Sequence, residues 1–151
     1  MRKFEYVKKD MQQYGGRIPE LPKRATKFSA GYDFYSPIDT TVPAQSTALV
    51  WTNVKAQFEQ DEVLILCVTS GMGKRGLMLA NNLGIIDCDY YGNVANDGNI
   101  GFRLYNFTDS DYLIKAGDKI GQGIFTKFLT VDNEEDIDKV REGGFGSTDK
   151  K

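Results

Sequence analysis

Five short stretches of the chain combine residue types that do chemistry on phosphates and heterocyclic rings. Ser70 and Gly71, followed by Gly73, Lys74 and Arg75, bring a hydroxyl, open backbone amides and two cations together, the equipment of a phosphate grip. The same residues also read as an exposed glycine turn. Gly71-Met72-Gly73-Lys74-Arg75-Gly76 formally fits GxGxxG, but Leu83-Gly84-Ile85-Ile86 follows too soon for a crossover helix, which takes at least ~10–12 residues. A dinucleotide fold is excluded, and so is a P-loop, because the GK[ST] ending is missing. In Gly84-Ile85-Ile86-Asp87-Cys88-Asp89-Tyr90, extended backbone puts Ile85, Asp87 and Asp89 on one face. A carboxylate beside an apolar neighbour can be held by partners and polarise a water; its plainer role is a strand-end acid that satisfies turn amides. Tyr32-Asp33-Phe34 sets an acid inside an aromatic strand, where a solvent-facing pleat position would account for it. Gly117-Asp118-Lys119-Ile120-Gly121-Gln122 reads as a β-turn entering a strand. Gly143-Gly144-Phe145-Gly146-Ser147-Thr148 places one aromatic ring among glycine amides and two hydroxyls. Such a segment either stacks on a base while its backbone wraps a phosphate, or is a solvated terminus.

The chain contains no histidine, which removes Ser/His/Asp and Cys/His catalysis and every His-containing zinc site. Acid–base chemistry falls to carboxylates, tyrosines or lysines. Cys67 and Cys88, the two cysteines, are too few for a four-sulfur metal site or a disulfide scaffold and suit a reducing compartment. Lys and Arg number 19 against 21 Asp and Glu, a net charge of −2, so no stable nucleic-acid partner is expected. Charge interrupts the stretch from Met1 to Lys9, which lacks the apolar core of a secretory signal. The longest apolar run, Val63 to Val68, is far short of the ~20 residues of a membrane span. A cytoplasmic protein without membrane contact is expected.

These stretches need a scaffold, and the sequence predicts one made of strands. Segments rich in β-branched and aromatic residues alternate with turn signals, and few windows keep apolar residues at helical spacing. The expected strands are Lys3 to Lys8, Tyr32 to Ser36, Thr47 to Val54, Glu62 to Thr69, Leu83 to Asp87, Gly101 to Phe107, Tyr112 to Lys115 and Ile120 to Thr130. Short helices are expected within Gly73 to Asn82, where Leu77, Met78, Leu79 and Ala80 are good helix formers, and within Asn133 to Val140. The spacing suits a sandwich or barrel, so the fold class is all-β, with one domain over residues 1–131. Acids crowd 132–138 and glycines surround Phe145, which predicts an acidic linker and a flexible arm over 132–151.

Taken in order, Ala30-Gly31-Tyr32-Asp33-Phe34-Tyr35-Ser36, Ser70-Gly71, Gly84 to Tyr90, Gly117 to Gln122 and Gly143 to Thr148 resemble the five ordered motifs of the trimeric dUTPases, nearly end to end. The resemblance implies a jelly-roll-like distorted β-barrel, assembled as a homotrimer with a flexible C-terminal arm, and Mg2+-dependent hydrolysis of dUTP to dUMP and pyrophosphate. It implies that Asp87 activates the water that attacks the α-phosphorus, with Gln122 holding phosphate or catalytic water. Tyr90 would pack under the deoxyribose, and the backbone of Gly84, Ile85, Ile86, Ile100 and Gly101 would read uracil. Thr69, Ser70 and Gly71 would meet the phosphate chain. Asp33 would support the phosphate and metal region, with Mg2+ held by the triphosphate and waters and no direct protein ligand. Arg141, Phe145, Gly146, Ser147 and Thr148 would close as a lid, with Phe145 on the uracil.

The chain departs from that family pattern in several places. Thr69 stands where Arg usually precedes the Ser, leaving Lys74 or Arg75 to compensate. The hairpin after Tyr90 is longer than in compact members, a feature similar to the enzymes of Gram-positive bacteria and their phages. Only Glu142 separates Arg141 from the glycines, and Asp149 stands where Gly is usual. Two other functions stay open beside hydrolysis. A dCTP deaminase on the same fold needs a catalytic Glu that Gly84 to Gly101 does not contain, and a phage-type regulator would dock a repressor protein.

Overall fold

The computed structural model describes residues 1–149. Its strands are β1 (Lys3–Tyr6), β2 (Tyr32–Tyr35), β3 (Thr40–Val42), β4 (Ser46–Trp51), β5 (Val54–Gln57), β6 (Glu62–Cys67), β7 (Leu77–Leu79), β8 (Gly84–Asp87), β9 (Gly101–Asn106), β10 (Tyr112–Ile114) and β11 (Lys119–Lys127); α1 (Ser70–Lys74) is a short helical turn. One sheet runs in the order β2-β11-β6-β8 and another in the order β4-β9-β7, with β1-β5 and β10-β3 as separate pairs. Every pairing is antiparallel. The larger sheets share one core: Phe34 of β2 packs on Phe102 of β9 with ring centroids 5.2 Å apart, and Val50, Leu64, Leu66 and Leu104 are buried around them. The fold is all-β and jelly-roll-like, as expected. Among the described residues no helix is long and apolar enough to cross a membrane.

Several local expectations are corrected. The single strand expected from Thr47 to Val54 is two strands, because Asn53 sits at φ 57, a left-handed conformation that Asn tolerates. Asn53 Nδ2 donates to the carbonyls of Gln13 and Arg17, and its Oδ1 accepts from Asn99 Nδ2. The chain turns there, and β5 pairs with β1. Leu77 to Leu79 is a strand and not part of a helix. Gly76, at φ 87, ends the preceding turn, and Leu77 and Leu79 are buried while pairing with β9; sheet pairing overrides helix propensity. The helical turn lies upstream, begun by Thr69, whose hydroxyl accepts from the Met72 amide at 3.4 Å. No helix forms over 133–140, where the side chains are exposed and present no apolar stripe to bury. β3 is absent from the expected strands although Thr40-Thr41-Val42 is β-branched throughout; the flanking Pro37 and Pro43 read as breaks.

Candidate active site

β8 alternates as a sheet-edge strand must: Gly84 and Ile86 are buried, Ile85 and Asp87 exposed. Asp87, 51% exposed, stands on the wall of a cleft of about 590 Å³ that Tyr90, Gly101 and the C-terminal arm complete. Asp89 does not continue the extended face, because Cys88–Tyr90 turns into a 3-10 helix. Both acids are nevertheless gathered by Arg141, whose Nη2 donates to Asp87 Oδ2 at 2.6 Å and whose Nε donates to Asp89 Oδ1 at 2.7 Å.

Tyr90 is buried, and its hydroxyl donates to the Asn99 carbonyl at 2.5 Å while accepting from Asn96 Nδ2 at 2.7 Å. Burial pushes the phenol up to about 12, against the pull of the Asn96 hydrogen bond and the Arg141 charge. The ring is a neutral, fixed wall at physiological pH. Gly144 lies directly on it: a Cβ there would fall 2.3 Å from Tyr90 Cε2. Beyond it, Phe145 meets Trp51 edge to face, with centroids 4.9 Å apart. The long hairpin that follows Tyr90 is tied down by its own asparagines and by the buried Lys55–Asp97 ion pair at 2.8 Å. Fixing that loop fixes Tyr90.

The other expected residues gather in a second cleft, of about 640 Å³, where Asp33, Thr69, Ser70, Gly71, Arg75 and Gln122 meet. β11 lies between β2 and β6, so Gln122 is opposite Asp33 on one side and Cys67 on the other. Asp33 is only 7% exposed, which corrects the solvent-facing pleat position; Lys119 Nζ pairs with it at 2.8 Å. The Asp33 hydrogen bond and charge raise the Lys119 pKa. Gln122 Nε2 donates to the Val68 carbonyl at 3.3 Å. Arg75 lines this cleft, whereas Lys74 lines neither cleft. The two clefts share no lining residue.

Ile100 is not brought to either cleft. It is fully buried, its amide donates to Val54, and its carbonyl accepts from both the amide and the hydroxyl of Thr52. Those backbone groups therefore serve the β4–β5 corner. Gly146 and Thr148 line the first cleft, and the Ser147 side chain lies outside the described residues. Sequence reasoning passed over Lys119 and Trp51. The first was signalled by its charge within the Gly117 to Gln122 motif, the second by being the single tryptophan.

A dUTPase family model matches residues 19–149. The deoxyuridine 5'-triphosphate nucleotidohydrolase of Lactococcus lactis is 39% identical over 150 residues, covering 98% of this chain and 97% of its own. Its counterpart in Arabidopsis thaliana is 37% identical over 132 residues, covering 85% of this chain and 75% of its own. Among solved structures, the dUTPase of Streptococcus mutans superposes with a TM-score of 0.72 at 38% identity, over 86% of this chain and 98% of that one. A dUTPase from phage phi11 of S. aureus superposes with a TM-score of 0.70 over 92% of this chain and 97% of that one, and at 20% identity it shares the fold.

Proposed function

The chain belongs to the dUTPase family and is a dUTP diphosphatase, and from that premise we propose that it cleaves dUTP to dUMP and pyrophosphate with Asp87 as the general base. The setting of Asp87 carries the reading. In a chain without histidine, this carboxylate stands on the wall of the cleft whose ring wall is Tyr90, and a cation of the C-terminal arm, Arg141, covers it. With nucleotide bound and Arg141 drawn to phosphate, Asp87 takes a proton from water. The water oxygen bonds to the α-phosphorus, and the bond to the bridging oxygen breaks with its electrons leaving on pyrophosphate. Gln122 orients the phosphate or the water, Ser70 and Gly71 meet the phosphate chain, and the backbone of Gly84 to Ile86 and Gly101 reads uracil.

Mg2+ belongs to this reading. The second cleft is lined by Asp33 and Asp118 beside the cations Arg75 and Lys119, and with Asp33 already paired to Lys119 these residues would hold phosphate and the ion's waters, the ion itself riding on phosphate oxygens. When bound, the ion neutralises charge on the triphosphate. Asp87 and Gln122 line separate clefts of one chain, an arrangement that fits assembly as a homotrimer in which one copy's Asp87 cleft meets another's Gln122 cleft at one nucleotide.

The reading is tested by a panel of deoxyribo- and ribonucleoside triphosphates with Mg2+, scored for pyrophosphate. Release from dUTP alone is expected; ammonia from dCTP would point to deamination. Tyr90→Ala is expected to raise the UTP-to-dUTP ratio of kcat/KM while dCTP stays poor, because the sugar and the base edge are read by different groups. Measuring a ratio in one preparation removes the effect of partial unfolding, and an unchanged ratio would refute Tyr90 as the ring that leaves no room for a 2′-hydroxyl. Thr69 is occupied in capping α1, and of the two cations that follow Ser70 it is Arg75, and not Lys74, that lines the cleft. Arg75→Ala is therefore expected to raise KM for dUTP about tenfold or more, the scale of one hydrogen bond to a charged group, with Lys74→Ala near wild type. Equal effects of the two substitutions would remove Arg75 from the site.

A further inference from the structure

Trp51 closes β4 opposite Gly101 of β9. Its ring lies over that glycine, where a Cβ would fall 2.9 Å from Cε3 and 3.0 Å from Cζ3; any larger residue at 101 would expel the indole. The Trp51 amide donates to the Tyr14 hydroxyl at 3.0 Å, which pins the strand end. Trp51 is half-buried and belongs neither to the hydrophobic core nor to the apolar side chains packed on it. From the solvent side, Phe145 reaches it edge-on, with ring planes at 67°. Phe145 holds φ 53, a left-handed backbone that is uncommon for a bulky residue and persists where contacts hold it. Its ring stays 52% exposed, so a face remains open beside the cleft that contains Asp87 and Tyr90.

We propose that Trp51 is a positioning residue for the arm: it grips the edge of Phe145 and holds that ring over the cleft, so that an incoming uracil meets a stacking partner already oriented. The proposal rests on the reading of the arm as a nucleotide lid. It also explains the pair Trp51 and Gly101 together, since the glycine that lines the cleft makes room for the indole that receives the arm. An edge-to-face aromatic pair contributes a modest amount beyond its buried area. Losing it therefore weakens lid closure without abolishing it.

The test uses the full chain with Trp51→Phe, Trp51→Ala, Phe145→Ala and the double variant Trp51→Ala/Phe145→Ala. Trp51→Ala is expected to raise KM for dUTP about three- to tenfold, with kcat within about twofold, and Trp51→Phe to recover most of the loss. Because Trp51 acts through Phe145, the double variant should be no worse than Phe145→Ala alone, whereas a purely structural tryptophan would add its own loss. Indole emission supplies a readout independent of activity and of how well Trp51→Ala folds. It should differ between wild type and Phe145→Ala in the free protein, and it should change when wild type binds α,β-imido-dUTP. Additive losses, or identical emission in all these states, would overturn the proposal. If deletion after Val140 leaves dUTP turnover intact, the lid reading itself fails; if deletion slows turnover while Trp51 and Phe145 act independently, only the positioning role fails.

Discussion

Asp87→Asn is expected to bind dUTP with near-native affinity and to hydrolyse it at least ~100-fold more slowly, the usual scale for a lost general base. The substitution is isosteric, and the side chain is half exposed on β8, with Arg141 as its charged partner. No core packing is disturbed. The amide oxygen can still accept from Arg141, but it cannot take a proton from water at neutral pH, so binding and chemistry should separate. Asp89→Asn is the internal control. Asp89 also binds Arg141, at 2.7 Å, but it sits in the turn that follows β8 and should cost much less. Binding by calorimetry and single-turnover hydrolysis check both. Near-normal turnover in Asp87→Asn, or equal losses in the two variants, would remove Asp87 as the base.

How much of this was legible in the sequence depends on the range over which each feature is determined. The outward face of β8 follows from period-2 alternation, so Ile85 and Asp87 were readable as neighbours; Asp89 was not, because the chain leaves the strand at Cys88. Leu77 to Leu79 has the local preference of a helix, and its strand state is imposed by β9, which lies far along the chain. The burial of Asp33 likewise needs a distant partner, Lys119, delivered when β11 pairs with β2. Backbone engagement is equally silent in sequence: nothing in the residue type of Ile100 tells that both its polar groups already serve the β4–β5 corner. Most of the residues that the ordered motifs named line one cleft or the other. What they could not convey is that those residues fall into two clefts on one chain, since spacing along a sequence carries no distance in space.

Deleting everything after Val140 is expected to leave the β fold intact while lowering dUTP turnover at least ~10-fold, because base–aromatic stacking alone is worth ~1–3 kcal/mol and Arg141 leaves with it. The arm touches the domain through Arg141 on Asp87 and Asp89, Gly144 on Tyr90, and Phe145 on Trp51. Among the described residues, none after Phe125 belongs to the buried core or to the apolar side chains packed against it. We propose residues 1–131 as the folding unit and 132–151 as linker and lid, so thermal unfolding of the truncated chain should match wild type. The magnitudes also set the dynamics. An exposed ion pair contributes about 0–1 kcal/mol and an edge-to-face aromatic pair about 0.5–1.5 kcal/mol, whereas ordering backbone costs ~1–2 kcal/mol per residue and most for glycine. The docked arm is thus a marginal state that a nucleotide, adding stacking and phosphate contacts, should deepen. Hydrogen exchange should show amides 143–149 weakly protected in the free protein and more strongly protected with α,β-imido-dUTP. A truncated chain that hydrolyses dUTP at the full-length rate, or an arm whose protection ignores the nucleotide, would show that the segment is a tail and not a lid.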